Sequence, residues 1–182
     1  IYAGIETLVN TQNDLSHASA EIVNGYMAQY LTAGADGIYL FNFMKTSPVN
    51  KRSDTVFNSF SSVDEVINSN RRHIVTWQDM APDGYEPYHP LDKDMLYKEP
   101  YSIDVETGYI PDGSEVKIKL GFSRTMNRKQ IEVIANGIEC IYAGETVIKG
   151  DNGSGEVTEG AYTDGEVYMY EFVCPQSYFF GN

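Results

Sequence analysis

The hydrophobic period of the chain changes near Arg71. Before it lie a helical stripe and continuous apolar runs, after it residues alternate, and one chain of 182 residues carrying both periods must build two kinds of core. Ile1 to Val9 is an apolar run of strand length, followed by a polar loop, Asn10 to Ser16. Ile22, Val23, Tyr26, Met27, Tyr30 and Leu31 then recur at helical spacing, so one stripe of this helix is buried. Ser16 or Ser19 can cap its start, and Gly34 stands where a helix stops in the left-handed conformation. Ile38 to Phe43 is a short continuous apolar run entered through Ala35-Asp36-Gly37, the pattern of a strand covered on both faces in a parallel sheet. Strand, helix and strand make a βαβ unit, whose crossover is expected to be right-handed. Ser62 with Glu65 has capping-box form, and Val63, Val66 and Ile67 give the following helix its apolar stripe. The opening reads as strand-helix-strand-helix.

Between Gln78 and Pro100 four prolines, Pro82, Pro87, Pro90 and Pro100, mark a linker or a loop draped over a surface. Beyond it Tyr101–Val105, Glu115–Phe122, Gln130–Ala135, Ile138–Tyr142, Thr146–Lys149 and Glu166–Val173 alternate like strands. Asn136-Gly137 is the strongest hairpin signal, and Asp112-Gly113, Asp151-Asn152-Gly153 and Asp164-Gly165 supply other turns. Short strands between turn clusters predict a β-sandwich. The organisation expected is therefore an α/β region over 1–76, a Pro- and Tyr-rich linker over 77–100 and an all-β domain over 101–182.

Charge narrows the partners. Twenty-six acidic against 13 basic residues give a formal charge of -13, which repels phosphate backbones and anionic lipid heads, so neither nucleic acid nor membrane is expected as a partner. No apolar run approaches the roughly 20 residues of a spanning helix. Cys140 and Cys174 match no zinc spacing and leave two readings, buried thiols or a single bridge. Fourteen Tyr and 16 Gly in an acidic chain suit an extracytoplasmic protein that handles carbohydrate.

Gly34-Ala35-Asp36-Gly37-Ile38-Tyr39-Leu40-Phe41-Asn42-Phe43 resembles the final strand of TIM-barrel glycoside hydrolases, where a similar turn feeds a buried strand. Tyr2-Ala3-Gly4-Ile5-Glu6 then resembles strand seven, with the helix Ser19 to Leu31 between the two. The resemblance covers about 75 residues. It implies a partial TIM-barrel followed by a β-sandwich, in the C-terminal fragment of a glycoside hydrolase that is not catalytically complete alone. Two strands cannot close a barrel of eight, so the exposed edges would need a missing N-terminal portion or a second copy of the chain as partner. A compact stand-alone α+β domain is the alternative.

Barrel active sites lie at the carboxyl ends of strands, which puts Glu6, Asn10 and Asn42 at the right end. Retaining glycosidases need two carboxylates about 5 Å apart. The resemblance makes Glu6 the nucleophile with its partner outside this chain; the plainer reading is a substrate-binding or structural carboxylate. Asn10 and Asn42 are candidate substrate-binding amides, and Asn42 can equally cap a loop. A second patch gathers Trp77, Tyr85, Tyr88, His89, Tyr97 and Tyr101 near Asp79 and Glu86. Its rings, Trp77 and Tyr88 foremost, either stack on the apolar face of a sugar or staple an irregular loop to the protein. His17, His73 and His89 form no ligand pair, no G-x-S-x-G occurs, and no Gly-rich phosphate loop follows a strand, so neither metal nor cofactor is expected. A non-catalytic carbohydrate-binding or interaction module is the competing function.

Overall fold

A computed structural model describes residues 1–6, 8–10, 15–17, 20–41, 62–75, 100, 102–122, 124–149 and 166–175. The chain divides into two units, Ile1–Tyr109 and Ile110–Asn182.

The first unit is organised by helix α1, Ala20–Thr32. A helix of this length is marginal in water by itself, so its stability has to come from the face it buries. Val23, Met27 and Ala28 on that face cluster with Ile5 of strand β1 (Tyr2–Glu6) and Val66 of helix α2 (Val63–Asn68). Ile38 and Leu40 of strand β4 (Gly37–Phe41) pack against the same cluster. Each buried Val, Ile or Met contributes about 1.5–3 kcal/mol, several times any propensity term. Gly25, inside α1, lets the backbone of Arg72 approach, since a Cβ there would collide with the Arg72 carbonyl oxygen. The Arg72 N–H donates to the Glu21 carbonyl at 2.8 Å, tying this segment to the helix.

α1 ends as the sequence predicts. Gly34 has φ 97°, its N–H donates to the Leu31 carbonyl at 3.1 Å, and the Ala35 N–H donates to the Tyr30 carbonyl at 3.0 Å, which is a Schellman stop. The chain then enters β4, which pairs in parallel with β1 from Tyr2↔Gly37 to Glu6↔Phe41. Ser62 caps α2, its hydroxyl accepting from the Glu65 N–H at 3.2 Å. Of the three apolar residues expected on that helix, Val66 is buried, Ile67 is half-buried and Val63 is exposed.

The partial TIM-barrel is not what the chain builds. Among the described residues there are two α-helices, and the parallel strand pairing occurs once. The run Ile1 to Val9 is two strands in different sheets. After β1, strand β2 (Leu8–Asn10) turns back on β3 (Leu15–His17) as an antiparallel hairpin, placing Asn10 opposite Leu15 where a polar loop was expected. Nor is β4 covered on both faces. α1 packs on Ile38 and Leu40, whereas Tyr39 and Phe41 are 61% and 51% exposed. A barrel strand would bury both sets.

The β-sandwich is likewise replaced. In the second unit β5 (Val116–Phe122), β9 (Glu166–Cys174) and β8 (Ile141–Lys149) form one antiparallel sheet in the order β5-β9-β8. Among the described residues the core is closed by a mostly irregular segment whose regular structure is one short turn and a two-stranded hairpin. Met126, Ile131, Val133 and Cys140 pack over Tyr170, Phe172 and the inward residues of β5, Val116, Ile118, Leu120 and Phe122. Within that segment a single 3-10 turn, Arg128–Gln130, leads to a two-residue hairpin of β6 (Ile134–Ala135) and β7 (Ile138–Glu139). Its turn is Asn136-Gly137 with φ 50° and 85°, both in the left-handed region that this hairpin type demands. The two strands expected over 138–149 form mainly the one strand β8, with a register shift between Tyr142 and Gly144. On the other sheet face Lys117 pairs with Glu115 at 3.0 Å and with Glu171 at 3.5 Å, and Lys119 with Glu171 at 3.4 Å. Such exposed pairs are screened by water and contribute little, so burial on the inner face holds the sheet.

Residues 102–105, expected as a strand of the sandwich, form none and belong to the first unit. There the Glu106 carboxylate accepts from Gln29 Nε2 of α1 at 2.8 Å, and Arg71 donates to the Tyr109 carbonyl at 2.8 Å.

Tyr170 is fully buried in the second core, at 1% exposure. Its hydroxyl accepts from the Met126 N–H at 2.8 Å and donates to the Met126 carbonyl at 3.1 Å, fixing the irregular cover to the sheet. Tyr170→Phe keeps the ring and strands both backbone groups, so urea unfolding should show a loss of about 1–3 kcal/mol, read from the midpoint at unchanged slope.

Candidate functional site

Alternation along the parallel pair sorts its residues onto two faces. Ala3, Ile5, Ile38 and Leu40 share the side that α1 covers. Tyr2, Gly4, Gly37, Tyr39 and Phe41 share the opposite side, where the three rings are exposed, Tyr2 to 76%. Gly4 lies opposite Tyr39 in the register, and a Cβ added to it would meet nothing within 4 Å, so the space above this position is open. The Tyr2 ring lies across Gly37, whose added Cβ would stand 2.5 Å from Tyr2 Cε1. The outcome is an aromatic surface with a side-chain-free gap, on a strand pair whose register ends at Glu6↔Phe41.

Of the predicted site residues Glu6 and Asn10 are described, and they stand in different sheets. Glu6 ends β1 opposite Phe41, at the carboxyl end of a parallel pair. Asn10 sits in the β2–β3 hairpin, a different sheet. Asn42, Trp77 and Tyr88 lie outside the described residues, as do Tyr85, His89, Tyr97, Tyr101, Asp79 and Glu86 of the second patch. Tyr2, Tyr39 and Phe41 were absent from the sequence-derived site. Their signal was present in the parity of the run, where rings alternate with Ile38 and Leu40, yet parity alone does not tell which face stays open.

Among the described residues no three His, Cys, Asp or Glu side chains gather in a way that could hold a metal ion. No helix among them is long and apolar enough to cross a membrane. The chain matches no protein-family model and no curated protein.

The titration of His73 is displaced. The imidazole is half-buried near Gly25 of α1, and burial, with the Arg71 charge adding to it, pushes its pKa down to about 4 from 6.5. It is therefore neutral at pH 7. Between pH 6.5 and 4 the unfolded chain takes up this proton and the folded chain does not, so the group lowers stability as pH falls through that window. Thermal melts should show a smaller decline from pH 6.5 to pH 4.5 for His73→Gln than for the unaltered protein; identical declines would refute the assignment.

Proposed function

We propose that the first unit binds neutral carbohydrate, as a non-catalytic contact surface of a glycan-processing protein acting outside the cytoplasm. The observation that carries this reading is the exposure of Tyr2, Tyr39 and Phe41 on one face of the β1–β4 pair, beside the open space at Gly4. Contiguous exposed apolar surface is costly in water and marks an interaction site. Aromatic faces suit pyranose rings, which present axial C–H groups on one side and hydroxyls around the rim. The net charge of -13 favours a neutral ligand over a polyanion.

The glycosidase reading is favoured by a different observation, the parallel alignment that ends β1 and β4 together at Glu6 and Phe41. Double displacement needs a second carboxylate about 5 Å from the first. On that reading a second carboxylate comes from another segment of a longer protein or from a second copy.

Calorimetry against a panel of neutral glucose, xylose, mannose and N-acetylglucosamine oligosaccharides tests the proposal. At least one should bind, with Tyr39→Ala and Phe41→Ala each weakening it by roughly tenfold, about 1.4 kcal/mol. Trp77→Ala and Tyr88→Ala test whether the second aromatic patch extends the same surface. Absence of binding across the panel refutes the binding reading. Aryl-glycoside hydrolysis by the isolated chain, abolished in Glu6→Gln, would replace it with a catalytic one.

A further inference from the structure

We propose that Cys140 and Cys174 are joined by a structural disulfide when the protein folds in an oxidising compartment, and that this bridge staples the second unit. The inference is independent of the carbohydrate reading. The two Sγ atoms stand 3.0 Å apart, within about an ångström of the 2.03–2.05 Å bond, with the residues 4% and 2% exposed. Neither position is free to drift. The Cys140 N–H donates to the Val133 carbonyl at 2.8 Å, just before β8 begins, and Cys174 closes β9 opposite Val116 of β5. A bridge would fasten the irregular cover to the central strand of the sheet, on the inner side that already holds Tyr170 and Phe172.

The chemistry balances with an external disulfide as oxidant, glutathione disulfide being the probe. One cysteine thiolate attacks a sulfur of that disulfide, forming a mixed disulfide and releasing one glutathione thiolate. The second cysteine thiolate attacks the protein-bound sulfur, the Cys140–Cys174 bond forms, and a second glutathione thiolate leaves. Two electrons pass to the oxidant, and the two thiol protons reappear on the released glutathione. Burial, with the neighbouring Cys140 adding to it, pushes the Cys174 thiol up to about 12. Little thiolate exists in the closed core, so exchange runs during folding or through opening, and the finished bridge resists reductant in the native state.

The test is to refold the whole chain in a glutathione redox couple and titrate thiols after denaturation. The expected result is no titratable thiol, a mass lower by two hydrogens, and a Cys140–Cys174 linked peptide in a non-reducing digest. Complete reduction in denaturant followed by refolding with reductant should lower the second unit's Tm by roughly ten degrees or more. The C140A/C174A double variant should show no response of Tm to reductant. Two free thiols after oxidative refolding, cysteines linked only to glutathione or to other chains, or an unchanged Tm on reduction would each overturn the proposal.

Discussion

The first unit depends on one packing relation: α1 covers one side of the β1–β4 pair and leaves the other side to water. Val23, Met27 and Ala28 meet Ile5 and Val66 in a small closed cluster, and Ile38 and Leu40 flank it. Because side chains alternate across a strand, fixing Ile38 and Leu40 against the helix compels Tyr39 and Phe41 to the far side. The candidate site is thus a by-product of the core register. A one-residue slip of β4 would send both rings into the cluster and expose the aliphatics in their place.

The second unit solves the same problem with other material. Its sheet also needs a cover for one face, and the cover is a stretch with little regular structure, held by particular bonds. Tyr170 hydrogen-bonds the Met126 backbone, and the Arg128 guanidinium lies 4.2 Å from the Tyr142 ring centroid while donating to the Ile131 carbonyl at 3.0 Å. Edge-to-face contacts of Phe122 with Tyr170 and of Tyr142 with Phe172, each 5.7 Å between centroids, complete the interior. A cover with only the short β6–β7 ladder relies on such anchors, and the juxtaposed cysteines sit at the same seam.

Local signals in the sequence were legible and long-range ones were not. The Gly34 helix stop, the Ser62 cap and the Asn136-Gly137 turn are each set by a few neighbouring residues, and each forms as those residues dictate. So do the strands over 116–122 and 166–174, whose alternation matches burial over 116–122 and 170–174. The failures are all questions of what lies against what. An apolar run such as Ile38 to Phe41 has the same composition whether one face or two are covered, and the resemblance to a barrel strand implied a second layer, whereas Tyr39 and Phe41 are exposed. Likewise, alternation over Tyr101–Val105 suggested a strand, yet Glu106 is bonded to Gln29 of α1 and Tyr109 to Arg71, contacts between residues far apart in sequence. Of the candidate site, Glu6 was legible as a strand end; the aromatic face was not, because exposure depends on which face the helix covers and alternation alone does not say which.

One-sided coverage is the central claim, and solvent paramagnetic relaxation measures it directly. With a soluble gadolinium chelate added to the isotopically labelled chain, the ring protons of Tyr39 and Phe41 should relax strongly. The methyl groups of Val23, Ile5 and Leu40, from the same strands and the helix beneath, should be shielded. Equal shielding of the rings and the methyl groups would mean that both faces are covered, and would contradict the account.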